Sequence, residues 1–298
     1  MKHIGIDIGG TSVKGIVVDG QKITAQTKVP TDISGGLESI TKSIFQTIEN
    51  LLPYVDENSG VGIGSAGDID PFLGRVIYAT DNLPGFTGFE IKKVVEERFN
   101  RRVYVVNDAV AAFIGEIQFG AAAGCDNAVM LTLGTGLGGG ISVNGRILLG
   151  SNYQGARIGH IPLHPDGRAC TCGLKGCAEQ YVSATGLIKT AHDCGCESSD
   201  CGEIFERSSN GEAEYQKATD IFLNDMCAVI RTVKCIFDPE CIVLGGGLVE
   251  LKKYWWDALS ARLDLNSEKL IRPAILGNMA GSMGAAYLLE DDTLITKH

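Results

Sequence analysis

Two stretches of this chain repeat one device: strand, glycine-rich turn, strand. In "IGIDIGGTSVKGIVV" (4–18) the apolar residues Ile4, Ile6 and Ile8 alternate up to Gly9-Gly10-Thr11, and the alternation resumes from Val13 to Val18. In "AVMLTLGTGLGGGISV" (128–143) two apolar runs flank Gly134-Thr135-Gly136. Alternation at period two predicts strands, and Asp19-Gly20 and Asn144-Gly145 after the two copies are tight-turn pairs. A device repeated at this distance predicts two domains of related α/β architecture.

The remaining pattern fits that reading. Leu37, Ile40, Ile44, Ile48, Leu51 and Leu52 recur at helical spacing, so 37–52 is expected to be an amphipathic helix. Strands are expected at 60–64, 102–106 and 241–246, and helices at 91–99, in "AVAAFIGEIQF" (109–119), at 212–237, 254–263 and 282–289. Residues 1–113, completed by the C-terminal helix about 282–298, are expected to form a smaller domain. Residues 114–281 are expected to form a larger one, with a cleft between the two. Tyr254, Trp255 and Trp256 are read as packing residues on a helix.

Composition excludes several classes of function. The formal charge is −10, a field that repels phosphate backbones, so no nucleic acid partner is expected. No apolar run reaches the roughly 18 residues that span a bilayer. Met1-Lys2-His3-Ile4 runs directly into a strand pattern, which predicts a cytoplasmic protein. Ten cysteines in that compartment point to reduced thiols and metal ligation, not a disulfide framework.

The glycine turns have the chemistry of polyphosphate cradles. Gly9, Gly10, Gly134, Gly136, Gly138, Gly139 and Gly140 let backbone N–H groups approach anionic oxygens, and Thr11, Ser12 and Thr135 add hydroxyls. Asp7, just before the first turn, is placed to hold water bound to Mg²⁺, and Lys14 is near enough to add charge. One such turn alone is ordinary hairpin chemistry. Two of them, with Gly245-Gly246-Gly247 after a third strand, make a stronger pattern.

The segment "GARIGHIPLHPDGRACTCGLKGCAEQYVS" (155–183) supplies His160, Cys170, Cys172 and Cys177. Three thiolates and one imidazole are the donor set of a closed, structural Zn²⁺ site. A second group, His192, Cys194, Cys196 and Cys201, has ligand-like spacing in a polar stretch; a variable surface loop and a second metal site are both open for it.

Taken together, the glycine clusters resemble those of the actin-like ATPase superfamily, whose duplicated RNase H-like domains close on ATP. The full run from "LTLGTGLGGGISV" through "CTCGLKGCAEQYVS", with "GIDIGGTSVKG", "NLPGF", "VVNDAVAAF" and "IVLGGGL", resembles the ROK family of sugar kinases and related repressors. The likeness extends over essentially the whole chain. It implies an ATP-dependent kinase for a hexose hydroxyl, with Asp108 as catalytic base and Asn107, His160 and Glu179 at the sugar. Gly67 and Asn82 are implied to line the same pocket, and Gly245-Gly246 to lie beside the adenosine. The resemblance also implies a homodimer or homotetramer. Asp108 further suits a helix N-cap before "AVAAF", and the two roles are compatible.

The departure is at Arg157. The family pattern "GEIGH" has glutamate where this chain has "ARIGH", and arginine cannot accept the sugar hydrogen bonds that a carboxylate accepts. Arg157 turned outward, Arg157 donating to a different sugar, and impaired phosphorylation are the three alternatives. The leading expectation is phosphorylation of the 6-hydroxyl of glucose or a related aldohexose. N-acylmannosamine kinase and fructokinase follow, then a non-catalytic sugar sensor. A repressor needs a DNA-reading helix-turn-helix ahead of the sugar domain, and the first hairpin starting at Ile4 is expected to leave no room for one.

Overall fold

The computed structural model describes residues 1–80, 83–263 and 270–296. The chain divides into two compact units. The first comprises Met1–Gly124, Gly145–Gly155 and Leu276–His298, and the second Cys125–Asn144 and Ala156–Ile275.

The first unit is built on a sheet with strand order β3-β2-β1-β4-β7. Its strands are β1 (Lys2–Ile8), β2 (Ser12–Asp19), β3 (Lys22–Pro30), β4 (Val61–Ser65) and β7 (Val103–Asn107). β1 and β2 form the first expected hairpin, antiparallel from Lys2↔Asp19 to Ile8↔Val13, while β4 and β7 join in parallel. The alternation in β1 has a different meaning from that of a half-exposed strand. Ile4, Ile6 and Ile8 are fully buried in one cluster with Ile40, Ile44 and Ile48 of α1 (Gly36–Leu51). The opposite face is covered as well, by α8 (Ala280–Tyr287), which packs on β1, β4 and α3 (Asp108–Phe119). Gly5 permits that approach, because a Cβ there would collide with the Ser282 carbonyl. The small, buried residues Ala280, Ser282, Gly284, Ala285 and Ala286 do the same from the helix side.

A short hairpin of β5 (Asp68–Asp70) and β6 (Arg75–Tyr78) and helix α2 (Ile91–Phe99) complete this part of the chain. The helix matches its sequence expectation residue for residue. β10 (Arg146–Ile147) also belongs to this unit.

The second unit repeats the plan. β8 (Ala128–Leu133) and β9 (Leu137–Val143) form the second expected hairpin. β11 (Cys241–Gly245) then adds in parallel to β8, and β12 (Ile271–Pro273) in parallel to β11. The same succession in both units, an antiparallel hairpin followed by parallel additions, is the duplication expected from the two glycine turns. Helices α4 (Ala184–Asp193), α5 (Cys201–Ser209), α6 (Ala213–Phe237) and α7 (Trp256–Leu263) belong to this unit. Trp255 is buried and its Nε1 donates to the Leu248 carbonyl at 3.1 Å, the packing role expected of it. Among the described residues no helix is long and apolar enough to cross a membrane.

Candidate active site

In the first unit the parallel register of β1, β4 and β7 brings Ile8, Ser65 and Asn107 to one level at the C-terminal end of the sheet. Open α/β sheets present their chemistry at that end. Asp7 lies one residue before this level and Asp108 one residue after it. Asn107, not Asp108, caps α3: its Oδ1 accepts from the N–H groups of Ala109 and Val110 at 3.0 and 3.2 Å. Its Nδ2 donates to the Gly67 carbonyl at 2.9 Å. Asp108 accepts only from its neighbour Ala109 among these cap N–H groups, at 2.8 Å. The helix start therefore does not depend on the Asp108 carboxylate.

Burial raises the Asp108 pKa above the ordinary carboxylate range. Asp7 is pushed up to about 6, chiefly by burial and then by Asp108, with Lys14 opposing. The Lys14 Nζ lies 3.9 Å from Asp7 Oδ2. Gly281, at the start of α8, borders both the Asp7 carboxylate and the Asp108 carbonyl.

These shifts have a consequence for stability. The folded Asp7 carboxyl, at about 6, holds its proton more tightly than the ordinary value of 3.8. The folded state thus loses stability relative to the unfolded state as pH rises from about 4 to 6, and the deficit persists above 6. Asp7→Asn is expected to raise stability at pH 7.5 by on the order of 2–3 kcal/mol, with a much smaller gain at pH 4. Thermal melts of both proteins at the two pH values check this. An equal gain at both would refute it.

The turn between β1 and β2 is closed by the Gly9 N–H donating to the Ser12 carbonyl at 3.1 Å. Thr31, which sequence reading did not single out, clamps it. Its N–H donates to the Thr11 carbonyl at 3.1 Å and its hydroxyl to the Gly9 carbonyl at 2.7 Å. Gly10 is partly exposed, Thr11 presents its side chain to solvent, and Ser12 is buried at the start of β2.

In the second unit, the turn Gly134-Thr135-Gly136 is braced from outside the hairpin. Glu179 Oε2 accepts from the Leu137 N–H at 3.1 Å, and a Cβ on Gly136 would collide with that oxygen. Ala184 N–H donates to the Gly134 carbonyl at 2.9 Å. Ser183 ties the Glu179 carbonyl and caps α4 by accepting from Gly186. Thr135 is exposed at the tip, and Gly138 and Gly139 lie within β9. Gly245 ends β11, and Gly246 packs on the Leu133 backbone, so the third glycine cluster adjoins the second turn.

His160, Cys170, Cys172 and Cys177 converge, with their ligand atoms all within 4.8 Å of one another. Cys172 Sγ and Cys177 Sγ are 3.5 Å apart, and Cys170 Sγ is 3.7 Å from His160 Nδ1. Tetrahedral Zn²⁺ with sulfur at about 2.3 Å sets S···S near 3.8 Å, so this donor set fits the ion. The Cys177 thiol is pushed up to about 12 by burial and by Cys172 and Cys170. Gly159 of the 3₁₀ turn Ile158–His160 packs on the Leu137 carbonyl, fastening this loop to the braced hairpin.

Two sequence expectations resolve differently. His192, Cys194, Cys196 and Cys201 do not gather; among the described residues the only group with metal-ligand geometry is the one at His160. His192 Nε2 contacts the Ser198 carbonyl, and Cys201 donates to the Ala184 carbonyl. Nor is that stretch simply a surface loop: it comprises the end of α4, a turn and the start of α5. Asp200 caps α5 by accepting from Glu203 N–H at 2.8 Å, and the spacing Asp200…Glu203 was a legible helix start. Arg157 is exposed, at the residue before the 3₁₀ turn, and its carbonyl accepts from His160 N–H. Asn82 lies outside the described residues.

The ROK family model matches residues 3–292. A glucokinase from Thermotoga maritima is 30% identical over 316 residues, covering 98% of each chain. An N-acetylmannosamine kinase from Salmonella typhi is 29% identical over 300 residues, covering 99% of this chain and all of its own. Among solved structures, a ROK hexokinase from Thermus thermophilus superposes with a TM-score of 0.85 at 32% identity, covering 98% of this chain and 100% of its own. A ROK glucokinase from Streptomyces griseus in complex with glucose and AMPPNP gives 0.81 at 31%, covering 97% and 99%.

Proposed function

The chain belongs to the ROK family, with its actin-like ATPase fold, and from that premise we propose that it is an ATP-dependent sugar kinase. The observation that carries this reading is the Asp108 carboxylate, held at the strand end beside Asp7 while Asn107 takes over the helix cap. Glucose and AMPPNP in the Streptomyces griseus relative support a hexose and ATP as the reactants.

In this reading Asp108 accepts the proton of the sugar hydroxyl as the oxygen attacks the γ-phosphoryl group. Phosphoryl transfer depends on positioning and charge stabilisation more than on covalent help from the protein. Mg²⁺ entering with ATP supplies charge neutralisation at the phosphates. Asp7 and Lys14 suit its water shell and the phosphate charge, and Gly9, Gly10 and Thr11 offer N–H and hydroxyl groups to phosphate oxygens. Gly134, Thr135 and Gly136 do so in the second unit, with Gly245-Gly246 next to them. Asn107, Gly67, His160 and Glu179 serve the sugar. Zn²⁺ at His160, Cys170, Cys172 and Cys177 is structural, organising the loop that bears His160.

The substrate we favour is glucose or a related aldohexose at its 6-hydroxyl; N-acylmannosamine is the second choice, supported by the Salmonella typhi relative. Assaying ADP release over a panel of hexoses and N-acetylated hexosamines tests the reading and names the substrate. Absence of turnover with every sugar would overturn it. Arg157 is the residue expected to tune specificity. Arg157→Glu is expected to raise kcat/KM for glucose relative to other sugars by about tenfold or more, as sites that pair substrate hydroxyls discriminate strongly. An unchanged profile would remove Arg157 from the sugar site.

A further inference from the structure

Residues 145–155 belong to the first unit, although they follow β9 and precede Ala156, both of the second. Within the first unit the segment is tied at three places. Ile147 N–H donates to the Leu294 carbonyl at 2.9 Å, Tyr153 packs its ring 6.0 Å from that of Phe72, and Gln154 Nε2 donates to Asp68 Oδ2 at 2.8 Å. Tyr153 holds a left-handed backbone at φ 56°, which is costly for a residue with a bulky side chain. The Gly155 N–H closes the loop on the Leu149 carbonyl at 2.7 Å.

The Gln154 contact differs from the other two in what it reaches. Asp68 is only 9% exposed, so its carboxylate needs partners, and a charge-assisted hydrogen bond is among the stronger ones available. Asp68 directly follows Gly67, whose carbonyl accepts the Asn107 Nδ2. Asn107 in turn caps α3 and precedes Asp108. A short series of contacts therefore runs from Gln154 through Asp68, Gly67 and Asn107 to the carboxylate assigned as base. Every residue in it belongs to the first unit. At its other end the segment is covalently continuous with Ala156 and Arg157.

We propose that Gln154 is a positioning residue for the acceptor sugar. Its amide latches the 145–155 segment to Asp68 and so fixes the Gly67 carbonyl and Asn107 beside Asp108. The inference rests on the kinase reading for the identity of the acceptor, and its physical content is the latch itself.

Gln154→Glu sets a carboxylate against the Asp68 carboxylate and breaks the latch. The expected result is a rise of about tenfold in KM for the sugar, with kcat within about threefold and KM for ATP unchanged. Hydrogen exchange at the amides of residues 66–70 and 107–110 should quicken in the same variant. Asp68→Asn added to Gln154→Glu exchanges donor and acceptor and should restore both the sugar KM and the exchange protection. Gln154→Ala, which removes the donor without adding charge, should fall between.

Unchanged sugar KM and unchanged exchange in Gln154→Glu would overturn the latch. So would a double variant that stays impaired, or a loss confined to melting temperature. Failure of the kinase reading shows itself separately, as absence of turnover in the unaltered protein. It would remove the sugar from the proposal, while the exchange measurement still decides whether Gln154 orders the Gly67–Asn107 region.

Discussion

Asp108→Ala is expected to lower kcat for sugar phosphorylation by about 10³-fold, within the range that general-base groups contribute. The structure makes this a clean experiment. Asn107 supplies the side-chain oxygen that satisfies the first N–H groups of α3, so removing the Asp108 carboxylate leaves the helix start intact. A loss of turnover would then not be a loss of folding, and the melting temperature should not fall. Sugar affinity measured by calorimetry should stay within several-fold, because Asn107 and the Gly67 carbonyl keep their mutual hydrogen bond.

The pH dependence follows from the same groups. Burial raises the Asp108 carboxyl and, with Asp108 contributing, holds Asp7 at about 6. A general base acts only when ionised, so with Asp108 in that role kcat/KM should decline on the acid side at a pH above the ordinary carboxylate range, where burial makes Asp108 take up its proton. Asp108→Ala should flatten what remains of that acid limb. Undiminished kcat in this variant on the best sugar of the panel would end the assignment of Asp108 as base, whatever else the fold resembles.

The reach of the sequence varied in a way that has a physical reason. Both hairpins, α2 and the zinc-type quartet were legible, because each is encoded by residues close together: alternating isoleucines, a helical stripe, cysteines within a few positions. What escaped were contacts between residues far apart in the chain. Thr31 closes the first glycine turn from 22 positions away, and Glu179 braces the second from 42. Neither contact has a local signature, since a threonine after a strand or a glutamate in a single 3₁₀ turn is ordinary. At the cap the sequence offered two adjacent polar residues, Asn107 and Asp108, and only the backbone angle at Asn107, extended at φ −61° and ψ 146°, decides between them. The alternation in β1 marked the strand but not what covers each of its faces, for a related reason. Gly5 reads as a gap in the pattern until α8, encoded some 275 residues later, is seen to fill that face.

Metal removal is expected to act on the second unit, with a smaller loss of activity than Asp108→Ala but with local unfolding. Purified protein should contain one zinc per chain, since His192, Cys194, Cys196 and Cys201 do not assemble. Cys177→Ser should abolish binding, because the remaining donors no longer complete a four-ligand set. The loop from Ile161 to Cys177 has little apolar content to hold it, so loss of a bound metal is expected to unfold it. What it supports lies within a few residues. Pro162 and Cys177 pair across the loop, Gly159 sits on the Leu137 carbonyl, and Glu179, two residues beyond Cys177, accepts from the Leu137 N–H. Releasing Cys177 is therefore expected to loosen the Gly159 and Glu179 contacts with Leu137, next to the Gly134–Gly136 turn. A fall of about a hundredfold in kcat/KM is expected, with new protease cleavage between residues 161 and 177. Metal analysis, limited proteolysis and the ADP-release assay on the same preparation check all of this. A zinc-free protein that keeps full activity and resists cleavage would show that the quartet is a cluster of thiols and nothing more.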